Sequence, residues 1–69
     1  MKNGSFLIEM GKKIKAIREE QGVSLRQLGK MCELDYSSIS RIECGQYSSR
    51  VLTLKIIAEQ LGVDIKDFL

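Results

Sequence analysis

Apolar residues recur along this chain at intervals of three and four, and nowhere in the strict alternation of a half-buried strand. From about Phe6 to Gln21 the stripe is Leu7, Met10, Ile14 and Ile17, which predicts an amphipathic helix ended by Gly22. Gly11 interrupts it at a cost of roughly 1 kcal/mol relative to Ala, and close packing against a neighbouring element is the expected reason. Residues 1–5 lack such a pattern and are expected to be loose. Downstream, Arg50 to Leu61 carries a core stripe of Val51, Leu54, Ile57, Ala58 and Leu61, with Ser48 or Ser49 to cap it and Gly62 to close it. Leu52 and Ile56 fall on a second face, together with Val63 beyond the helix. One small core cannot use both stripes, so the second reads as partner surface. Asp64 then starts a last short turn from Ile65 to Leu69, with Asp67 in its acidic first-turn position and Val63 and Phe68 spaced as a hydrophobic staple.

Between these segments lies Ser24 to Gly45, where two helix starts are written plainly. Ser24 with Gln27 three residues on is a capping box, and Val23 with Leu28 has staple spacing. Asp35 is a good N-cap, stapled by Leu34 and Ile39. Two helices are therefore joined by only the short run Cys32 to Leu34, and must cross steeply. Projected at about 100° per residue, the second helix, Tyr36 to Cys44, turns Ile39 and Ile42 to a core. Ser37, Ser40, Arg41 and Cys44 fall opposite, with Tyr36 on the flank. Short hydroxyls allow close approach to a surface, and Arg offers a planar fork that can grip a guanine edge. A plain solvated helix that happens to be Ser-rich fits this pattern as well.

Composition narrows the function classes. The 69 residues make one domain, 1–69, and 43% hydrophobic content argues against disorder. With helical periods throughout, the fold class is all-α. A net charge of +2 permits nucleic-acid binding without arguing for it. The absence of His excludes a Cys/His zinc site, and two thiolates do not complete a tetrahedral one, so neither metal nor cofactor is expected. Cys32 lies on the apolar side of its helix and Cys44 on the outer side, so a disulfide between them is not expected. Without a catalytic His, a Cys–His pair or a Gly-rich phosphate loop, an enzyme is not expected either. Lys12, Lys13 and Lys15 read as a solvated face. With neither a signal peptide nor an apolar run near span length, no membrane partner and a cytoplasmic location are expected.

From about Gly11 to Leu69 the chain resembles the Cro/CI-type phage-repressor helix-turn-helix family, also called the Xre family. The matching strings are GKKIKAIREEQGVS, then SxxxLxxxCxLDYSSISRIExG, then TLKIIAEQLGVDIKDFL. The resemblance implies a compact five-helix lambda-repressor-like DNA-binding domain, with the central helix-turn-helix at 24–45. It implies a sequence-specific regulator of transcription that places helix 36–44 in the major groove of double-stranded DNA. The family's base-reading positions hold Tyr36, Ser37, Ser40 and Arg41. Its phosphate-contacting positions hold Ser24 and Leu25 at the start of the second helix, and Gln46, Tyr47, Ser48 and Arg50 in the following loop. Where the family usually has Gln this chain has Leu25, so Arg26 is the expected replacement. The family often pairs an Arg late in its first helix with a Glu late in its third, here Arg18 and Glu43. Glu33 stands where the turn usually has Gly, at a cost of roughly 1 kcal/mol if its backbone is left-handed. Gly29 stands at a usual Ala place, so close approach of the two helices survives. The loop before the fourth helix lacks the customary Pro.

A single reading helix covers few base pairs, and dimers solve this by placing two about 34 Å apart. A homodimer is therefore expected through Ile65, Phe68 and Leu69, with Leu52, Ile56 and Val63 contributing. The same apolar stripe keeps an alternative open: an antitoxin or protein-interaction domain of this fold, with a protein partner and secondary operator binding.

Overall fold

The computed structural model describes residues 3–46 and 50–69. Four α-helices follow one another: α1 (Asn3–Glu20), α2 (Leu25–Cys32), α3 (Tyr36–Glu43) and α4 (Val51–Leu61). The expected fifth helix is instead one turn of 3-10 helix, Ile65–Phe68. Four residues are too few for the i to i−4 ladder of an α-helix, and 3-10 bonding is what such short pieces adopt. Among the described residues there is no strand. α1 also starts earlier than the pattern implies, taking in Asn3–Ser5, which were expected to be loose. Gly45, with φ 71°, lets the chain after α3 run so close to α1 that a Cβ there would meet the Ile8 backbone at 2.8 Å.

The helix starts follow the local chemistry. Ser24 Oγ accepts from the Gln27 N–H at 3.1 Å while Gln27 Oε1 accepts from the Ser24 N–H at 2.8 Å. Asp35 accepts from the Ser37 N–H at 3.2 Å. Asp64 and Asp67 form a second reciprocal box at the 3-10 turn. α4 has a different start: Arg50 stands at its N-cap and makes no side-chain cap bond, because a guanidinium has no acceptor. Ser48 and Ser49, the expected caps, lie outside the described residues, as does Tyr47.

All four helices end in one way. In each, an N–H two or three residues past the helix bonds the carbonyl five places back, and the residue preceding that donor turns left-handed. This is the Schellman arrangement. Three of the four left-handed positions are Gly; the fourth, after α2, is Glu33 with φ 57° and ψ 42°. That conformation crowds Cβ against the following carbonyl at a cost of about 1–2 kcal/mol.

α1 packs on α3, and α2 on both α3 and α4. Ile14, Leu28, Ile39, Ile42, Ile57 and Phe68 are fully enclosed, with Met10, Cys32, Leu54, Ala58 and Leu61 completing the core. Two expectations are corrected here. Phe68 was expected at a dimer surface, but it is wholly buried, because the turn that the Asp64–Asp67 box starts packs on α1 and α4 and its ring joins the core. Val51 was expected in the core, but it is 72% exposed. It lies on the core-facing stripe of α4, yet among the described residues nothing covers that first turn, and Val51 lines an open concavity of about 370 Å³ with Lys55, Val63 and Ile65. Long-range side-chain bonds tie the ends together. Gln21 Nε2 donates to the Leu61 carbonyl at 2.7 Å, closing α4 from α1, and Lys13 Nζ donates to the Leu69 carbonyl at 3.0 Å.

Candidate nucleic-acid interface

α3 is divided sharply. Ile39, Ile42 and Glu43 are buried. Tyr36, Ser37 and Arg41 are exposed and Ser40 is half-buried, so these four share the outward side. Among the described residues, no carboxylate lies within ion-pair reach of Arg41.

The inner side of α3 is held rigidly. Arg18 Nε donates to Glu43 Oε2 at 2.7 Å and Arg18 Nη2 to Glu43 Oε1 at 3.1 Å, a bidentate pair with both side chains buried. A third bond, from Arg18 Nη1 to the Val23 carbonyl at 2.8 Å, fastens the turn between α1 and α2 to the same group. The hydrogen bond to Glu43 holds the guanidinium pKa above its ordinary range, against the opposing effect of burial. Beside this pair α1 comes up against the backbone of α3. A Cβ on Gly11 would stand 2.5 Å from the Ile42 carbonyl oxygen and collide with that of Glu43. Between α2 and α3 the fit is similar, since a Cβ on Gly29 would meet the Leu34 carbonyl at 2.9 Å.

Ser24, Arg26, Gln46 and Arg50 are all exposed, while Leu25 is half-buried against the core. Ser24 Oγ is engaged only as an acceptor, so its hydroxyl proton remains available to donate. Arg26 makes a contact that the sequence does not disclose: its guanidinium lies over the Tyr36 ring, 4.9 Å from the centroid. The two meet across the turn, at the edge of a concavity of about 480 Å³ that Lys30 and Glu33 also line. No periodicity or spacing rule pairs residues ten apart, so only the turn geometry brings them together. Of the two thiols, Cys32 is buried and Cys44 exposed, and burial pushes the Cys32 thiol pKa up. Among the described residues, no cluster of His, Cys, Asp and Glu could hold a metal ion, and no helix is long and apolar enough to cross a membrane.

Two eight-residue helices joined by a three-residue turn, the first packed against the second and the second exposing a polar face, make this a helix-turn-helix domain. The chain belongs to the HTH_3 helix-turn-helix family, whose model matches residues 14–68. That family holds the Cro/CI-type fold which the sequence resembles. The chain is 33% identical over 58 residues to the HTH-type transcriptional regulator PuuR of Escherichia coli K12; the match covers 84% of this chain and 31% of PuuR. The PuuR of Shigella flexneri matches to the same extent. The chain thus spans about a third of the length of these curated relatives. Among solved structures, the restriction-modification controller protein C.AhdI from Aeromonas hydrophila superposes with a TM-score of 0.88 at 22% identity, covering 91% of this chain and 96% of that one. An HTH_3 family transcriptional regulator from Vibrio cholerae superposes with a TM-score of 0.89 at 24% identity, covering 96% of this chain and 37% of that one. At these identities the likeness speaks for the fold.

Proposed function

We propose that this domain binds double-stranded DNA sequence-specifically and regulates transcription, with α3 lying in the major groove. The observation that carries the reading is the division of α3. Its apolar residues and its one carboxylate are turned inward, and the outer side presents Tyr36, Ser37, Ser40 and an unpaired Arg41. A helix serving only as a solvated surface has no need to confine its acid to the core, whereas a helix lying between phosphates does. Tyr36, Ser37, Ser40 and Arg41 read base edges, Arg41 most naturally a guanine. Ser24, Arg26, Gln46 and Arg50 grip the backbone, and the loop residues Tyr47 and Ser48 belong to the same proposal. PuuR, named a transcriptional regulator, supports the reading by its similarity.

The active form is a two-fold dimer on a two-fold site. Val51, Leu52 and Leu69 are 72%, 67% and 57% exposed, and Ile56, Val63 and Ile65, which pack against the core, stay half-buried; this leftover apolar area supports the dimer. Phe68 is not part of it. Sedimentation at micromolar concentration, free and on DNA, tests this; a strict monomer in both states refutes the dimer.

Titration of two variants tests the DNA reading. Arg41→Ala should cost about 1–3 kcal/mol on the selected site and far less on scrambled duplex. Arg50→Ala should weaken both alike and lower the slope of log affinity against log salt by about one. Equal losses on both duplexes for Arg41→Ala would move its contact to the backbone. No preference among duplexes for the wild-type domain would refute the function.

A further inference from the structure

We infer that Arg26 is a positioning residue for base reading: it holds the Tyr36 ring over the base step at which α3 enters the groove. The inference rests on the DNA reading above and deepens it. It adds a part in sequence preference to the backbone grip of Arg26, although Arg26 lies on α2 rather than α3.

The geometry is specific. Arg26 stands in the first turn of α2 and Tyr36 opens α3, the end of a recognition helix that reaches base edges. The guanidinium sits 4.9 Å from the ring centroid, within the range where the positive face of the cation meets the negative face of the ring. Tyr36 is 43% exposed, so no wall of the core fixes its rotamer. Arg26 is exposed too, and among the described residues no carboxylate pairs with it. Each side chain is therefore the other's main constraint. A guanidinium can meet a ring with its flat face and keep the N–H groups at its edge for other partners. A stacked Arg26 can thus steady the ring and still point donors at the duplex. Lysine, a compact point charge without a planar face, can supply the charge but not the same platform.

The stack can be seen without DNA. In the free protein the Arg26 Hδ resonances should lie upfield, under the Tyr36 ring current, and return to ordinary positions in Tyr36→Leu. The functional test uses a duplex selected from a randomised pool, and a set of duplexes each changed at one base pair. Tyr36→Ala should flatten preference at one step. Arg26→Gln should flatten the same step by roughly two- to fivefold, the worth of an exposed cation–π contact. The Arg26→Gln, Tyr36→Ala double variant should be no flatter there than Tyr36→Ala alone. Arg26→Lys should keep the salt slope while losing preference, and neither change should move the melting temperature by more than the small amount expected of an exposed site. Unshifted Arg26 resonances overturn the inference. So do Arg26 variants that weaken every duplex by one factor, additively with Tyr36→Ala, since Arg26 then contacts phosphate alone. In both cases a wild-type protein that still discriminates among duplexes leaves the functional reading standing. A wild-type protein that discriminates among none refutes that reading, and this inference with it.

Discussion

Breaking the Arg18–Glu43 pair should be among the most damaging single changes to the fold, and the two partners should not be equivalent. Removing either leaves the other buried and uncompensated, which costs about 3–5 kcal/mol. The surroundings order the two cases. In Glu43→Ala the guanidinium keeps the Val23 carbonyl at 2.8 Å and has the Glu19 carboxylate 4.0 Å away, so the loss should sit near the lower end, about 3 kcal/mol. In Arg18→Ala the Glu43 carboxylate loses both its donors and the Val23 carbonyl loses its own, so the loss should approach about 5 kcal/mol. A domain of 69 residues has roughly 3–10 kcal/mol of stability in all. Arg18→Ala should therefore be close to unfolded at room temperature, and Glu43→Ala should melt roughly 12–24 °C lower than wild type. Urea titration followed by circular dichroism in the cold measures both. The double variant Arg18→Met, Glu43→Leu adds a control. If stranded charge is the cause, joint replacement by apolar groups should recover most of the loss. Variants within about 1 kcal/mol of wild type, well below the cost of stranding a buried charge, would refute the reasoning. So would a double variant no better than the worse single one, because lost packing would then be the cause.

Three further outcomes follow from the same geometry. Glu33→Gly removes the strain of a left-handed residue while loosening the unfolded chain, and should stabilise by a net 0.5–1 kcal/mol or so in chemical denaturation; destabilisation would show that the Glu33 side chain contributes more than its backbone costs. Gly11→Ala gains roughly 1 kcal/mol of helix propensity but drives a methyl into the Ile42 carbonyl 2.5 Å away; since backbone cannot rotate aside, a net loss of about 1–3 kcal/mol is expected in the same assay. Cys32 has its pKa raised by burial, so the folded state holds the thiol proton more tightly than the unfolded state. The resulting stability is fully present below the ordinary thiol pKa, about 8.5, and is lost as pH rises through the folded value. Stability measured from neutral to mildly alkaline pH should decline in wild type and decline less in Cys32→Ala; parallel curves would exclude Cys32 as the source.

What could be read from residues alone was the local chemistry. The Ser24–Gln27 box, the Asp35 cap and the glycine stops lie within a few positions of the groups they satisfy, so spacing announces them. The Arg18–Glu43 pair, 25 residues apart, came from family resemblance; no local rule joins them. Phe68 shows where pattern runs out. A four-residue 3-10 turn has no period long enough to say which of Ile65, Phe68 and Leu69 turns inward; packing into the core takes Phe68. Val51 failed for the opposite reason: its angle around α4 was right, but an angle does not tell whether another element reaches that far along the axis. The Arg26–Tyr36 stack depends on the course of the turn at Glu33, which no propensity specifies.

The bidentate pair at Glu43 and the Gly11 contact at Ile42 clamp α3 from behind, and this shapes how such a domain can evolve. Substitutions at the exposed Ser37 and Arg41 should each change folding stability by less than about 0.5 kcal/mol. New target preferences can therefore accumulate one residue at a time, without compensating changes in the interior and without passing through unfolded intermediates. The cost of that freedom falls on the nucleic acid. On the proposed DNA reading, a helix held from behind leaves misfit to be absorbed by bending or twisting of the duplex, at of order 1–6 kcal/mol for a strongly bent site. Targets for this protein would then be sorted by their pliability as well as by their letters.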